Sequence, residues 1–475
     1  MIEIKLEDNN YEGKKIDLSK LSDEEKLRVR KALNKINNVS LKDLENRGII
    51  AFTSRTDKRE LNEDNTIVFS VLNLESDLPV IQTRNIMGFF SLDNTVHIEI
   101  TSRFDDDNHF FLHYMLQKVC NISSVSDITH AGENQFYEYS IYLFPSFLKR
   151  ALKQGIFRTY ISKTYNDLNV RGVIDFPQCI KNNYPFNLKM AYRVHEYSQD
   201  NYMTQLIRHT IEFISEKENQ RNILFIDEEM SKLVAQMRTC TENYNKTLRD
   251  YIIQKNLNTV MHPYYTEYEP LRKLCLMILS NNKTSFCNAK QNQIYGLLFD
   301  GASLWEEYLN VIFQEKIKKE KIQYHLEHTN NRSGKGKQYL FETNDGKNLT
   351  AIYPDFLLKD SKQDIHVIID AKYKYLKNGN SRQEDYYQIL SYMFRFNCTR
   401  GILVYPKNEN SEEQNSNELY LKNHEKRISL EKLALNIPDT EFEEATETSY
   451  KNYCKRMGEK ENLLVDKILA VKDFR

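Results

Sequence analysis

The sequence predicts a chain of several domains, α+β or α/β in class, with a β-rich and helical N-terminal region before a C-terminal α/β domain. Apolar residues alternate with period two between residues 47 and 105, as in strands that bury one face. From Phe110 the spacing becomes three and four, which indicates helices, and beyond Gln293 helical and strand patterns alternate. At roughly 150 residues per domain, the length of 475 residues corresponds to about three domains.

The composition fits a globular protein and excludes several functional classes. The 66 Lys and Arg residues nearly balance the 67 Asp and Glu residues, so a wholly basic nucleic-acid binder is excluded, although a local basic groove is not. The first residues lack the parts of a secretory signal, and no apolar run is long enough to span a bilayer. The seven cysteines form no C-x-x-C pair, which is typical of a reducing compartment. We therefore expect a cytoplasmic chain with no membrane partner.

Several common site motifs do not occur in the sequence. It has no H-E-x-x-H zinc motif and no G-x-G-x-x-G dinucleotide fingerprint. It also has no G-x-x-x-x-G-K-[ST], so the chain is not expected to hydrolyse a nucleotide through a P-loop.

Residues 1–45 are interpreted as a leader region. Ser22 followed by three acidic residues predicts the start of a helix that ends near Asn38. This helix either binds a partner or packs on the body of the protein, and we favour packing.

Residues 46–285 are interpreted as one N-terminal region. Residues 66–72 alternate as a strand, and residues 87–100 predict a hairpin that turns at Asp93 and Asn94. Further strands are predicted over 170–176 and 188–192, and long helices over 200–218 and 228–253.

A polar stretch over residues 280–293 marks the start of the C-terminal domain, residues 286–475. The predicted elements of this domain are a helix over 297–319, strands over 322–328, 338–341, 349–358 and 365–374, a helix over 383–396 and a strand over 401–405. Residues 407–417 are interpreted as a polar loop.

Six polar residues of this domain fall on successive predicted elements. They are Glu306, Asp355, Asp370, Lys372, Gln388 and Tyr392. Asp370 and Lys372 are two apart on a strand, so both project to one face. Gln388 and Tyr392 are four apart on the next helix, which places them on one helical face. A short connection between strands would bring Asp355 alongside Asp370.

Converging carboxylates repel one another, and a divalent cation removes the conflict. With Asp355, Asp370 and Glu306 as oxygen ligands, the site favours Mg²⁺, with Mn²⁺ as a substitute, over zinc. Such an ion activates water and neutralises a phosphodiester, while Lys372 stabilises the developing negative charge. Gln388 and Tyr392 would position the metal shell or the DNA backbone. The predicted chemistry is metal-assisted phosphodiester hydrolysis.

The order of these elements resembles the PD-(D/E)xK nuclease core, in the branch whose helix carries a Q-x-x-x-Y motif. In that family the acidic residue directly after the aromatic is usual, which favours Glu306 over Glu307. The resemblance implies a restriction-endonuclease-like α/β domain that cuts DNA.

Segments upstream extend the resemblance to the McrC family. They are residues 88–90, 98–104, 170–176 and 197–201. Together with the core, the resemblance covers roughly residues 85–405. Ser102 and Arg103 stand where Pro and Lys are common, and Thr204 stands where Asn is frequent.

The McrC resemblance implies a nuclease subunit of a hetero-oligomer that acts on double-stranded DNA. Its partner would be a hexameric AAA+ GTPase of the McrB type, which recognises the DNA and whose GTP hydrolysis this chain stimulates. The resemblance also implies that the strands of residues 47–105 insert into the partner ring, with residues 165–195 as a candidate addition to the inserted part. Arg103 and Arg171 are candidates to act on the partner's nucleotide.

A basic loop and two alternative functions remain open. Arg332, Lys335 and Lys337 form a loop that either contacts phosphates or is simply solvated. One alternative function is that of a stand-alone repair nuclease of the RecB/AddB kind. The other is that of an adaptor that activates the GTPase without cutting DNA. Cutting by the chain alone favours the first alternative, and GTPase stimulation without cutting favours the second.

Overall fold

The computed structural model describes most of the chain. The described residues are 2–46, 50–52, 67–92, 95–105, 110–119, 134–185, 187–217, 220–258, 262–280, 294–320, 323–328, 338–375, 382–409, 416–422, 427–440 and 446–470. The hairpin turn predicted at Asp93 and Asn94 and the basic loop from Arg332 to Lys337 lie outside these residues.

The described elements form a mixed α/β protein with several sheets. The strands are β1 (Ile2–Glu7), β2 (Lys14–Lys15), β3 (Val39–Ser40), β4 (Ile50–Phe52), β5 (Ile67–Leu72), β6 (Val80–Thr83), β7 (Ile86–Leu92), β8 (Val96–Thr101), β9 (Thr159–Asp167), β10 (Val173–Ile174), β11 (Met190–Ser198), β12 (Ile294–Asp300), β13 (His325–His328), β14 (Gln338–Glu342), β15 (Asn348–Ile352), β16 (Phe356–Lys359), β17 (Ile365–Ala371), β18 (Arg400–Asn408), β19 (Ser416–Tyr420) and β20 (Ser429–Ile437). The helices are α1 (Asp23–Asn34), α2 (Leu41–Asn46), α3 (Phe110–Val119), α4 (Asn134–Leu152), α5 (Phe176–Asn182), α6 (Tyr202–Ser215), α7 (Glu228–Cys240), α8 (Arg249–Lys255), α9 (Tyr268–Ser280), α10 (Gly301–Glu320), α11 (Gln383–Arg395) and α12 (Glu447–Leu469).

The chain divides into two compact units. The first joins residues 1–132 with residues 287–475, and the second comprises residues 133–286. This division shares the boundary near residue 286 with the segments predicted from the sequence. It differs from them at the N-terminus, because β12, which follows the second unit in sequence, pairs with N-terminal strands in one sheet of the first unit.

That sheet has the order β1-β8-β7-β12-β4. β1 runs parallel to β8, and β12 runs antiparallel to β7. A four-stranded sheet, β2-β6-β5-β3, also contributes to the core of this region. The predicted hairpin strands are confirmed as β7 and β8. The expectation that only one face is buried is wrong for β8, because its polar residues His97 and Glu99 are buried as well as its apolar ones.

Apolar residues of the segment from Ile2 to Leu44 contribute to this core. The capping box of Ser22 and Glu25 starts α1 as predicted. Val29, Ala32 and Leu33 of α1 are buried among the apolar residues of the sheets. The helix packs on the body of the protein.

The helix predicted from residue 297 begins only at Gly301, because residues 294–300 form β12. Periodicity does not distinguish a short buried strand from a helix, and Leu297 and Leu298 fit either. Tertiary pairing decides the outcome: Leu298 lies opposite Gly88, whose φ of +127° and close approach to the backbone of Leu297 leave no space for a Cβ.

The C-terminal part contains a six-stranded sheet with the order β13-β16-β17-β18-β20-β19. α11 connects the parallel strands β17 and β18 and packs against both. The strand predicted over residues 349–358 is divided between two sheets, since β15 pairs with β14 and β16 pairs with β17. The break falls at residues 353–355.

The second unit is mainly helical. The helix predicted over residues 228–253 is interrupted, because α7 ends at Cys240 and α8 begins at Arg249. A three-stranded antiparallel sheet, β10-β11-β9, carries residues 159–198, and we call it the small sheet. None of the described helices combines the length and the apolar composition that a membrane-spanning segment requires.

Candidate active site

Asp370 and Lys372 lie at the end of β17, an internal strand paired with β16 and β18. Alternate residues of an extended chain project to one face, so both side chains point the same way. The Lys372 Nζ lies 2.6 Å from the Asp370 Oδ2. Asp370 is almost completely buried, and the backbone N–H of Lys372 donates to the carbonyl of Val404 at 2.9 Å. The pair therefore lies at the C-terminal end of an internal strand of the sheet.

Asp355 immediately precedes β16, rather than lying within a strand as predicted. Phe356 pairs with Ile369, so the antiparallel register, continued by one residue, brings Asp355 opposite Asp370. The Asp355 Oδ2 accepts a hydrogen bond from the backbone N–H of Ala371 at 2.7 Å. The structure thus brings together the two aspartates of the predicted site.

Burial and mutual repulsion change the ionisation of this cluster. Burial, followed by the charges of Asp370 and Glu306, raises the pKa of Asp355 well above its usual value. Burial also raises the pKa of Asp370, although the ammonium of Lys372 opposes the rise. Burial alone would lower the pKa of Lys372, but Asp370 and Asp355 outweigh it and raise that pKa. The carboxylates of Asp355 and Asp370 therefore resist being ionised at the same time, because their negative charges repel each other.

The helix α11 completes one side of the cluster. The Gln388 Oε1 accepts a hydrogen bond from the Lys372 Nζ at 2.7 Å, and the Gln388 Nε2 donates to the Tyr392 Oη at 2.9 Å. Gln388 is exposed, whereas Tyr392 is buried. The i, i+4 spacing thus forms a chain of contacts from Tyr392 to Lys372.

Glu306 reaches the cluster from α10, and it has a partner that sequence reasoning missed. The Glu306 Oε1 lies 2.7 Å from the Nε2 of His328 on β13, and the His328 ring stacks on Phe356. No sequence spacing signals this pair, because 22 residues separate its members. Contact with Phe356 and Glu306 fixes the ring of His328 beside the site.

Asp385 is a second residue that sequence reasoning missed. It is buried at the start of α11, with its Oδ1 3.9 Å from the Lys372 Nζ. Its carboxylate also pairs with Lys374, at 2.5 Å. Its position in the first turn of the helix is a weak sequence signal, since acidic residues are common there.

The donor set fits a hard cation, although the carboxylates do not form a closed ligand shell. Within the part of the chain that the structure describes, no three His, Cys, Asp or Glu side chains converge at metal-binding distances. Glu306 is engaged by His328, and Asp355 by Ala371. The buried Asp370 Oδ2 has no described hydrogen-bond donor besides the Lys372 ammonium. Buried, oxygen-only donors of this kind match Mg²⁺ or Mn²⁺.

The two candidate arginines occupy different environments. The Arg103 side chain is only 9% exposed and pairs with Asp8 at 2.6 Å, so it contacts its own chain rather than solvent. Arg171, beside the small sheet, is exposed, and its guanidinium lies 5.8 Å from the Tyr165 ring centroid.

Sequence comparison identifies the family. The profile of the McrBC 5-methylcytosine restriction system component family matches residues 81–406, more than half of the chain. The chain is therefore a component of a restriction system of this type. It belongs to the McrBC family, which confirms the resemblance seen in its motifs.

Other comparisons are distant. A refined half-complex from a tetradecameric assembly of Thermococcus gammatolerans McrB AAA+ hexamers with bound McrC shares 15% identity, covering 96% of this chain and 99% of that one, with a TM-score of 0.46. A cryo-EM structure of the Thermococcus gammatolerans McrBC complex also shares 15% identity, covering 66% and 88%, with a TM-score of 0.30. No curated protein matches the sequence.

Proposed function

We propose that this chain is the DNA-cutting subunit of a McrBC-type restriction complex. It hydrolyses phosphodiester bonds of double-stranded DNA with Mg²⁺, or with Mn²⁺ in its place, through a PD-(D/E)xK type site. The complex defends the cell against foreign or modified DNA. Family membership supports the restriction role.

The observation that carries the proposal is the Asp370–Lys372 pair. The Lys372 Nζ lies 2.6 Å from the Asp370 Oδ2 at the C-terminal end of an internal strand, with the charge of Asp355 close by. The same ammonium donates a hydrogen bond to the Gln388 Oε1 at 2.7 Å. Residues from different parts of the sequence thus bring carboxylates, an ammonium and a side-chain amide together in one site. An ordinary buried ion pair needs no second carboxylate that raises the cost of burial.

The roles of the side chains follow from their charges. Asp355, Asp370 and Glu306 would hold the cation, and the contact of His328 with the Glu306 carboxylate would fix the orientation of that ligand. Bound Mg²⁺ supplies Lewis acidity toward the phosphate and lowers the pKa of a bound water. Lys372 orients the attacking water and offsets negative charge on the phosphate oxygens. Gln388 keeps Lys372 in place, and Tyr392 supports Gln388.

We propose that a separate AAA+ GTPase of the McrB type binds the small sheet and its adjoining segments. Nine large apolar side chains between residues 160 and 197 are exposed, and such patches mark interaction sites on soluble proteins. They are Tyr160, Leu168, Val170, Val173, Phe176, Ile180, Tyr184, Leu188 and Tyr197. Arg171 lies within this set and is the better placed candidate for stimulating GTP hydrolysis, since the Arg103 side chain is only 9% exposed and is paired with Asp8.

Asp370→Asn tests the cutting role. The assay combines the chain with its GTPase partner, GTP, Mg²⁺ and double-stranded DNA containing 5-methylcytosine. Loss of the carboxylate charge should lower the rate of cutting by about 10²-fold or more. Partner binding and GTPase stimulation should be unchanged, because the small sheet belongs to the second unit.

The matched control is Asp345→Asn, an exposed aspartate in the turn between β14 and β15. It should cut as the wild type does. Cutting by the Asp370→Asn variant would exclude the assigned site. Cutting by the wild-type chain without partner or GTP would favour the stand-alone repair nuclease. Full GTPase stimulation with no cutting in Mg²⁺ or Mn²⁺ would favour the adaptor.

A further inference from the structure

Tyr373, the residue after Lys372, is enclosed by the N-terminal sheet region of the same unit. Its Oη lies 2.6 Å from the Ser102 Oγ, and its ring packs against Phe104 at 5.1 Å between centroids. Both of these residues lie directly beyond β8. The Tyr375 Oη also donates to the carbonyl of Arg103. The segment that carries Lys372 is thereby attached to residues some 270 positions earlier in the chain.

Arg103 holds this junction together. Its guanidinium lies 4.9 Å from the Tyr373 ring centroid, a cation–π geometry. Its Nη2 lies 2.6 Å from the Asp8 Oδ2, and its backbone N–H donates to the Asp8 Oδ1 at 2.6 Å. The Asp8 side chain is fully buried at the end of β1. The orientation of Arg103 is therefore set from two directions by one carboxylate.

The same junction contacts the start of α10, the helix that carries Glu306. A Cβ added at Gly301 would lie 2.8 Å from the Tyr373 ring. The Gly301 N–H donates to the carbonyl of Asn85 at 3.1 Å, and the Asn85 side chain accepts from Arg103. Two elements of the candidate site, the end of β17 and the start of α10, therefore meet at Tyr373.

We propose that Tyr373, held by the hydroxyl of Ser102 and by the Arg103–Asp8 pair, is a positioning residue that keeps Lys372 in place beside Asp370 and Glu306. This inference rests on the proposed cutting function and adds the N-terminal sheet to its machinery. The side chains of the consecutive residues Lys372 and Tyr373 point in different directions. Tyr373 therefore affects Lys372 by fixing the backbone between them, not by touching the ammonium. Displacement of a catalytic group by about 1 Å costs on the order of 10²-fold in rate, so such a support has a measurable effect.

Tyr373→Phe and Ser102→Ala test the proposal, because each removes the hydroxyl contact and leaves the ring packing intact. In the complex with partner, GTP and Mg²⁺, kcat for DNA cutting should fall by about tenfold with KM unchanged, since positioning acts in the transition state. The double variant should lose no more than either single variant. Tyr308→Phe, which removes another buried hydroxyl contact on α10, to Glu461 at 2.7 Å, is the matched control and should leave kcat unchanged.

A second measurement does not depend on cutting. N-hydroxysuccinimidyl acetate, with mass spectrometry, reports the acylation rate of Lys372 relative to the exposed Lys232. We expect Lys372 to react several-fold faster in Tyr373→Phe and Ser102→Ala than in the wild type or Tyr308→Phe, because its contacts with Asp370 and Gln388 loosen.

The outcomes separate this inference from the proposed function. Wild-type kcat and wild-type acylation of Lys372 in the two variants would overturn the positioning role. If the wild type itself does not cut but acylation of Lys372 responds as expected, the positioning role stands and the cutting function fails. If all folded variants, Tyr308→Phe included, lose kcat equally, the effect is general destabilisation and the inference is rejected.

Discussion

The charged side chains of Asp8, which is buried, and Lys372, which is half-buried, each depend on specific partners. Lys372 contacts Asp370 and Gln388, so its ammonium is oriented from the sheet and from α11. Asp8 has Arg103 as its partner, yet burial outweighs this attraction and raises the pKa of Asp8 from 3.8 to about 6. The charged form of Asp8 is therefore costly, whereas the neighbouring carboxylates favour the charged form of Lys372 and raise its pKa despite the loss of solvent.

The raised pKa of Asp8 predicts a pH-dependent stability. The folded state binds this proton more tightly than the unfolded state, so the group favours folding below about pH 4, and that contribution is lost as pH rises through about 6. Asp8→Asn does not titrate. Between pH 4 and pH 7, the free energy of unfolding of the wild type should therefore fall by about 2–3 kcal/mol relative to Asp8→Asn. Urea unfolding of both proteins across this range measures the difference, and parallel curves would contradict it.

The helix α11 and the small sheet differ in how much of their apolar surface is exposed to solvent. α11 buries Ile389, Tyr392 and Met393 against the six-stranded sheet and directs Gln388 at Lys372. The small sheet buries Ala191 and Tyr192 at the start of β11, but β9 and the rest of β11 alternate between half-buried and exposed residues. An element whose apolar residues remain exposed contributes little to folding and is suited to binding.

Val173→Glu tests the small sheet as the partner-binding element. Val173 is 78% exposed, so the substitution should leave the stability of the chain unchanged. Affinity for the GTPase partner, measured by analytical ultracentrifugation or a binding titration, should fall by about tenfold or more, because a charge would be buried in an apolar contact. Phe225→Glu is the control, since Phe225 is 54% exposed in the same unit but lies outside the small sheet. Equal losses in both variants would refute this assignment.

The whole molecule is organised around an N-terminal sheet that is completed by a later part of the chain. β12 follows the second unit in sequence and enters the sheet between β7 and β4. α1 covers the same core, and the junction of Asp8, Arg103 and Tyr373 continues it toward the candidate active site. Residues 1–46 are consequently a structural part of the first unit.

A pair of substitutions on α1 tests that organisation. Leu33 is fully buried, so Leu33→Ala should lower the free energy of unfolding by about 2–5 kcal/mol. Leu27 lies on the same helix but is 52% exposed, so Leu27→Ala should cost less than about 1 kcal/mol. Chemical denaturation followed by circular dichroism compares the two. Similar small effects would instead indicate a helix detached from the core.

Local patterns predicted a large part of the fold. The capping box at Ser22 and the alternation through β7 and β8 were sufficient to predict these elements, because each pattern reflects contacts within a few residues. The patterns failed at residues 297–300, where a short apolar run fits a helix or a strand. They also failed at residues 353–355, where a segment predicted as one strand is divided into two strands that belong to different sheets.

The sequence by itself determined the order of the motifs, their strand and helix periods, and hence that Asp370 and Lys372 share a face. Only the tertiary structure decided which distant residues meet them: His328 beside Glu306, Asp385 beside Lys372, and Arg103 turned inward to Asp8. Periodicity records which face of an element is buried, whereas these contacts join side chains on different elements. Their partners depend on how sheets and helices pack, which no local spacing encodes.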